Sequence, residues 1–225
     1  MRISKFISRA VCSNLLLLLP LLSVAQRRQM VAEVDSVPTF RGLAVSVDAV
    51  GLVQQATGSY GQIEGALRVN LKDRYFPIVE IGYGKADADD ASTQLIYKTS
   101  APYGRVGIDF NMLRQKHDIY RLYIGGRYAF TSFSYDVDSP PVSDPVWGGE
   151  ATYHISGEKA NCHWLEAVVG IDAQIWRHLR MGWSVRYKLR LAHDDGDAGN
   201  VWYVPGYGKE GGTRLGGTFN VIFEL

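Results

Sequence analysis

The sequence predicts an all-β fold: an eight-stranded antiparallel up-and-down transmembrane β-barrel with short periplasmic turns and long outer loops. Two observations predict it. Eight stretches alternate apolar and polar residues with a period of two, which is typical of strands whose two faces meet different surroundings. The connections between these stretches alternate between tight and longer, as they do in outer-membrane barrels. An even number of strands then places both chain ends on the periplasmic side.

The clearest of these strands is LRMGWSVRYKLRL, residues 179–191. Its odd positions are all apolar, whereas its even positions carry Arg180, Arg186, Lys188 and Arg190. Four cations on one face need water or buried carboxylates beside them, because an unpaired buried charge is costly. This strand therefore predicts lipid on its apolar side and a polar barrel interior on the other.

The remaining strands follow the same pattern, and together they predict one barrel domain over residues 42–225. The other predicted strands are residues 42–50, 60–71, 75–84, 103–111, 119–133, 163–174 and 213–225. The predicted longer connections are residues 52–59, 85–100, 134–161 and 193–212. Tight turns are expected at residues 72–74, near 114–116 and at 176–177. Gly and aromatic residues are frequent, which suits β-structure with tight interior packing.

The N-terminal segment has the pattern of a secretory signal peptide, predicted as residues 1–25. Basic residues at 2, 5 and 9 precede an apolar run over residues 15–22, and Ser23-Val24-Ala25 fits a small-x-small cleavage site. The apolar run is too short to span a bilayer as an anchor. Residues 26–41 are predicted as a short periplasmic leader. Cleavage would leave Cys162 without a disulfide partner in the chain, and a small buried side chain is the favoured interpretation.

Alternation alone does not distinguish this barrel from a soluble lipocalin-like barrel with an apolar interior. The polar faces, however, carry both charge signs in near balance, and they also carry many glycines, which make room for long side chains in a narrow interior. We therefore expect lipid outside and paired charges inside. The predicted lumen charge network comprises Glu64, Arg68, Glu80, Arg105, Asp109, Arg127, Glu166, Asp172, Arg186, Lys188 and Arg190.

Several stretches resemble a family of small outer-membrane barrels of Bacteroides-type Gram-negative bacteria, which is known as a domain of unknown function. They are NLKDRYFPIVEIGYG, RVGIDFN, GGRYAFTSFSYD, GWSVRYK and VPGYG, which begin at residues 70, 105, 125, 182 and 204. More loosely, the layout is similar to barrels of the OmpA/OmpX type. The resemblance implies an outer-membrane location and no catalytic residues. The alternating C-terminal strand is similar to the signal that the outer-membrane insertion machinery reads.

No motif indicates an enzyme, a metal site or a cofactor, and we expect none of the three. Residues 206–211 match G-x-G-x-x-G, but a dinucleotide site needs a strand before the motif and a helix after it, and here a strand follows. None of the five histidines forms a metal-ligand pair on one face. His193 with Asp194, or His154 with Ser156, remains a conceivable pair for a lipid-modifying enzyme at the outer rim.

The longer connections suggest what the protein meets at the surface. They are acidic, which would suit divalent cations bridging to lipopolysaccharide phosphates, although a solvated face is the simpler interpretation. Possible outer-loop binding residues are Trp147, Tyr153, Trp202 and Tyr203, with interfacial packing as the alternative. The expected partners are outer-membrane lipid, lipopolysaccharide, the insertion machinery and a possible surface ligand. A net charge of +1 argues against nucleic acid.

These patterns predict a small outer-membrane barrel of structural or adhesive type, with a lumen closed by paired charges. A narrow channel for small solutes is the first alternative. Eight strands leave an interior that side chains can fill, so open conduction is disfavoured. A lipid-modifying enzyme at the outer rim is the second alternative.

Overall fold

The chain forms a closed antiparallel β-barrel in the computed structural model, which describes residues 37–89, 95–143, 148, 150–152, 154–197, 199 and 201–225. The long strands are β1 (Phe40–Asp48), β2 (Tyr60–Leu71), β3 (Tyr75–Asp89), β4 (Ile96–Asn111), β5 (Tyr120–Asp138), β8 (His154–Trp176), β9 (Leu179–Asp194) and β12 (Thr213–Glu224). The shorter elements are α1 (Ala49–Thr57), β6 (Val142–Ser143), β7 (Glu150–Ala151), β10 (Tyr203–Val204) and β11 (Gly208–Lys209).

Around the barrel the order is β1-β12-β9-β8-β5-β4-β3-β2, so the first and last strands close the ring. Every neighbouring pair is antiparallel. The predicted eight-stranded antiparallel barrel is therefore confirmed.

The predicted tight connections lie together at one end of the barrel, which we call the turn end. Lys72 and Asp73 both have positive φ, 57° and 52°, as the central residues of a type I′ turn do, and the backbone N–H of Arg74 donates to the carbonyl oxygen of Leu71 at 3.1 Å. Arg177 and His178 form the turn between β8 and β9. The chain begins and ends its barrel strands at this same end, opposite the end that we call the loop end.

The predicted long connections were wrong in extent, because the strands continue through most of them. Strands β3 and β4 stay paired as far as Asp89 and Ile96. Strands β5 and β8 stay paired as far as Asp138 and His154, with one irregularity in register. The barrel wall therefore extends well beyond the predicted strands at the loop end.

The predicted connection 52–59 was also wrong, since helix α1 replaces it and β1 ends at Asp48 instead of residue 50. Among the described residues, no helix is long and apolar enough to cross a membrane. At its other end β1 begins at Phe40, so two residues of the predicted 26–41 leader belong to the barrel. The predicted signal peptide, residues 1–25, lies outside the described residues and stays a prediction.

Near the turn end, the strands expose apolar side chains outward and bury charged ones inward. In β3, Val79, Ile81 and Tyr83 are largely exposed on the outside, whereas Glu80 between them is 1% exposed. We call the outward apolar zone the apolar belt. Its central members are Val79, Ile81, Val106, Ile124, Val169, Ile171, Trp183, Val185 and Val221, all of them exposed.

Toward the loop end, this polarity reverses within the same strands. In β3, Lys85 and Asp87 are exposed on the outside, while Ala86 and Ala88 are buried inside. The principal cluster of buried apolar residues lies here and includes Tyr97, Ala101, Tyr103, Ala129, Phe133, Tyr135, Val137, Ala160, Cys162 and Trp164. This half of the barrel has the apolar interior and polar exterior of a water-soluble barrel.

The mouth of the barrel at the loop end is filled by residues 201–209, which we call the plug. The plug contains the short hairpin of β10 and β11. Val201, Tyr203, Val204 and Tyr207 are buried in it and belong to the same apolar cluster as the inward residues of the barrel strands.

Candidate functional site

Ten of the eleven predicted lumen residues lie buried inside the barrel, where they form one connected set. Glu64, Arg68, Glu80, Arg105, Asp109, Arg127, Glu166, Asp172, Arg186 and Lys188 are all buried. Arg190 lies apart from them: its side chain is 14% exposed, and its guanidinium is 4.0 Å from the carboxylate of Glu210 in the connection to β12.

Two arginines and three glutamates form the centre of the network. The Nη1 atom of Arg186 lies 2.8 Å from Glu80, 3.0 Å from Glu64 and 3.6 Å from Glu166. Arg105 contacts the same three carboxylates, at 3.2 Å to Glu80 and 2.9 Å to Glu166, and it pairs closely with Glu64. Each buried charge therefore has opposite charges beside it, which offsets the cost of removing it from water.

The network continues toward the turn end through alternating charges. Arg127 donates two hydrogen bonds to Asp109, at 2.7 and 2.9 Å, in the bidentate geometry that makes such pairs strong. Arg68 lies between Asp109 and Asp172, at 3.3 Å from each carboxylate. Arg180 then donates to Asp172 at 2.7 Å.

A second group of charges, which the prediction missed, closes the turn end. The carboxylate of Asp73 lies 3.1 Å from Arg41, 3.4 Å from Arg121 and 2.6 Å from the Nδ1 atom of His117. Arg121 also contacts Glu224 at 2.6 Å. Arg121 occupies an inward position of β5 and lies within the predicted strand 119–133, so the alternation that identified Arg127 could also have identified it. Asp73 had no such signal because it lies in a turn.

Glycines on neighbouring strands provide the space that the inward side chains fill. Opposite Tyr103, a Cβ atom on Gly82 would lie 2.2 Å from the phenol ring. Opposite Tyr123, a Cβ atom on Gly170 would lie 2.5 Å from that ring. These distances are far below van der Waals contact, so the predicted space-making role of the inward glycines agrees with the packing.

Side chains crowd the centre of the lumen, and the plug lies across its loop end. A cavity of about 10 Å³ lies among residues that include Arg68, Glu80 and Arg186, which is about the space for one water. Farther out, Arg105 donates to the carbonyl oxygen of Gly206 at 2.9 Å. Lys188 donates to the same oxygen at 2.7 Å, so the plug is bonded directly to the charge network.

The structure places two of the predicted outer-loop binding residues in the plug. Tyr203 is buried there, its ring packs 5.4 Å from that of Tyr60, and its role in binding stays a prediction. Trp202 is half-buried and packs edge-on against Tyr60 at 6.0 Å. Trp147 and Tyr153 lie outside the described residues.

The histidines proposed for the alternative enzyme have partners other than the predicted ones. His193 Nε2 lies 3.5 Å from Asp195, and the His154 ring contacts Asp138 across the sheet. Within the described ranges, no group of three or more metal-ligating side chains is found. The G-x-G-x-x-G stretch, residues 206–211, begins in the plug and leads into β12. A strand therefore follows the motif, as predicted, where a dinucleotide site needs a helix.

Comparison with known proteins gives a family and several distant structural likenesses. A major outer-membrane protein from Thermus thermophilus has a TM-score of 0.46 at 15% identity, over 82% of this chain and 98% of that chain. Neisserial surface protein A (NspA) has a TM-score of 0.45 at 12% identity, over 84% and 100%. Ail from Yersinia pestis, solved with the heparin analogue sucrose octasulfate, has a TM-score of 0.37 at 9% identity, over 81% and 93%.

No curated protein sequence matches the chain. The family comparison, in contrast, spans nearly all of it. The matching family model covers residues 7–224, and the chain therefore belongs to the family described as Domain of unknown function (DUF6048).

Proposed function

We propose that this chain is an outer-membrane β-barrel of structural or binding type, with the turn end in the periplasm and the loop end outside the cell. The reversal of polarity along the strands carries the proposal. In β3 the outward residues change from Ile81 and Tyr83 to Lys85 and Asp87 within a few positions. A barrel in water gains nothing from an exposed apolar belt, whereas a barrel in a bilayer needs one where its wall meets acyl chains.

Aromatic residues mark both edges of the belt, as they do at membrane interfaces. Those nearer the turn end are Tyr75, Phe110, Tyr120, Trp176 and Phe223, and those nearer the loop end are Tyr83, Tyr128, Phe130 and Tyr187, all of them exposed. Along β3 the two edges are eight residues apart. At about 3.3 Å per residue and a tilt of about 40°, this separation is about 20 Å, which approaches the height of an outer-membrane apolar band.

The filled lumen favours a structural or binding role over a channel. Paired charges surround a cavity of about 10 Å³ at the centre, and the plug covers the loop end. Above the belt, the extended wall presents polar side chains such as Lys98, Asp136 and Lys159 outward. A rigid polar wall above the bilayer suits contact with lipopolysaccharide or a surface partner, because little ordering is needed on binding.

Quenching of tryptophan fluorescence by brominated lipid tests the membrane placement. The mature protein is folded into vesicles of brominated phosphatidylcholine. Trp183 lies on the belt and is 60% exposed, so Trp183→Phe should lower the quenched fraction. Trp202→Phe, its matched control at the plug, should raise that fraction. A protein that stays in solution without detergent, and shows no quenching by lipid, would refute the proposal.

Planar bilayer recordings test the closed lumen against the channel alternative. We expect no single-channel steps from the wild-type protein at moderate voltage, because paired charges occupy the centre of the lumen and the plug covers its loop end. Reproducible conductance that scales with protein concentration would favour the channel instead. The same preparation should pass the quenching test, so a silent bilayer is not mistaken for failed insertion.

A further inference from the structure

The barrel wall is incomplete on one side at the loop end. Strand β1 is short: its pairing with β12 ends at Asp48 and Asn220, and its pairing with β2 ends at Val47 and Gly65. Residues 60–64 of β2 and 213–219 of β12 therefore have no strand between them. We call this interval the seam.

Asp48 fixes the place where the strand ends and the seam begins. Its carboxylate accepts hydrogen bonds from the backbone of Val50 at 3.1 Å and Gly51 at 3.2 Å, as the N-cap of α1. The same carboxylate accepts a hydrogen bond from the backbone N–H of Phe219 in β12 at 3.1 Å. One side chain thus caps the helix and also accepts a hydrogen bond from β12 at the first residue beyond its pairing with β1.

Helix α1 lies in the seam, where it packs more extensively against β2 than against β12. A Cβ atom on Gly51 would lie 2.5 Å from the carbonyl oxygen of Gln62, and one on Gly61 would lie 2.3 Å from the Cα atom of Gln55. The two glycines therefore let helix and strand pack backbone against backbone. The side next to β12 stays open.

A pocket of about 810 Å³ occupies that open side, between α1, β12 and the plug. This volume is within the range of sites for small ligands. Val53 and Leu215 line it at the membrane-facing side, where they are 63% and 74% exposed. Leu215 pairs with Tyr187, a residue at the outer edge of the apolar belt, so the pocket lies where lipid headgroups would begin.

Cations line the other side of the pocket. Arg214 donates from Nε to the carbonyl oxygen of Lys209 at 2.7 Å, and the Lys209 ammonium lies 4.7 Å from the centre of the Trp202 ring. Carbonyl oxygens and rings hold these cations without neutralising them. Among the described residues, neither Lys209 nor Arg214 forms an ion pair with a carboxylate.

We propose that the seam pocket binds a phosphorylated membrane lipid, which reaches it sideways from the outer leaflet. An acyl chain packs along Val53, Leu215 and Phe219, and the phosphate meets Lys209 and Arg214. Guanidinium and ammonium groups are the usual partners of phosphate, and partial burial strengthens such contacts. The inference rests on the proposed membrane location, since the apolar side of the pocket opens toward acyl chains.

Native mass spectrometry of the mature protein in a neutral detergent tests this proposal. The probe is dimyristoyl phosphatidic acid, and we expect one saturable lipid per barrel. Lys209→Gln combined with Arg214→Gln should weaken binding roughly tenfold or more, because two charge-assisted contacts are lost. Arg177→Gln, which removes an exposed cation from the turn between β8 and β9 at the opposite end of the barrel, should leave the affinity unchanged.

A steric variant tests the same pocket without changing its charge. A Cβ atom on Gly216 would lie 3.6 Å from the Cε atom of Lys188, which is ordinary contact. Gly216 lines the pocket, so Gly216→Leu should fill part of it and reduce lipid binding. A near-ultraviolet circular dichroism spectrum identical to that of the wild type verifies folding for each variant.

Three outcomes would overturn the inference. Equal affinity for dimyristoyl phosphatidylcholine would mean that the cations do not select the headgroup. Full competition by inorganic phosphate at the lipid's own concentration would mean an anion site without an acyl-chain site. No saturable binding by a protein that passes the lipid-quenching test would exclude the lipid site and leave the proposed membrane location intact.

Discussion

The guanidinium of Arg105 donates a hydrogen bond to the carbonyl oxygen of Gly206 at 2.9 Å, and this contact joins the plug to the buried charge network. The same side chain pairs with Glu80 at 3.2 Å and Glu166 at 2.9 Å. The interior is therefore one unit, with charges at belt height and apolar packing above it. Substitutions in the charged part should therefore change the stability of the whole barrel.

Removing one carboxylate from the centre tests how far the network stabilises the fold. Glu80 contacts Arg105, Arg127 and Arg186, so Glu80→Gln leaves three buried cations short of one anion. We expect the free energy of unfolding to fall by about 3–5 kcal/mol, as for other broken buried pairs. Urea unfolding from phosphatidylcholine vesicles, followed by tryptophan emission, measures the loss.

The matched control for this substitution is Asp87→Asn, which removes an exposed carboxylate from the outside of the same strand. Surface charges contribute little, so its effect should stay below about 1 kcal/mol. If the two substitutions cost the same, the buried charges do not form a cooperative network.

At some inward positions glycine should be required, because even a Cβ atom would overlap a neighbouring side chain. A Cβ atom on Gly82 would lie 2.2 Å from the Tyr103 ring, whereas one on Gly104 would have nothing within 4 Å. Gly82→Ala should therefore lower the free energy of unfolding by about 1–3 kcal/mol through overpacking, while Gly104→Ala should not. Urea unfolding of the two variants provides the comparison.

A double-mutant cycle identifies the ring as the cause of this effect. Combined with Tyr103→Ala, the Gly82→Ala change should cost much less than it does alone, because the atoms that it meets are gone. Strict additivity of the two effects would mean that the cost of Gly82→Ala arises elsewhere, for example in the strand backbone.

The charged lumen was predictable from sequence because a period of two places residues such as Arg186 and Lys188 on one face. The reversal of polarity above the belt was not predictable in the same way. In residues 85–89, KADAD, alanines alternate with charges, which resembles a polar loop when no neighbouring strand is considered. The alternation itself persists there, and it was the signal that could have extended β3 and β4.

The plug and helix α1 were missed for a related reason. Inward alanines such as Ala86, Ala129 and Ala160 leave the mouth of the barrel open, and only the assembled ring creates the space that Tyr203 and Tyr207 fill. For α1, the local signal was Asp48, an N-cap residue before an apolar stretch. A nine-residue helix is too short for periodicity to reveal it reliably.

Cys162 should be unreactive in the folded barrel. Its side chain is free but only 1% exposed, inside the apolar cluster of the loop end. A maleimide reagent in neutral detergent should leave it unmodified at pH 7.5 and modify it fully after denaturation. Ser156→Cys, at an exposed position of the same strand, should react within minutes. Rapid reaction of Cys162 would mean that the plug opens frequently.

Asp73 makes the stability of the turn end depend on pH. Burial alone would raise the pKa of Asp73, but hydrogen bonds from His117 and Asn70, together with the charges of Arg41 and Arg121, bring it below its ordinary value. A carboxyl group whose folded pKa is depressed contributes its stabilisation above the unfolded pKa, about 3.9, and loses it as the pH falls through the folded value. Asp73 lies in a turn outside the apolar belt, so water and protons reach its surroundings.

We therefore expect Asp73→Asn to lower the free energy of unfolding by about 1–3 kcal/mol at pH 7, since several hydrogen bonds to a charged group are weakened. The difference from the wild type should shrink as the pH falls below about 4, because the wild-type carboxyl group then becomes neutral as well. Urea unfolding between pH 3 and pH 7 measures it, and Asp87→Asn serves as the exposed control. A difference that stays constant over this range would mean that Asp73 acts through the shape of the turn and not through its charge.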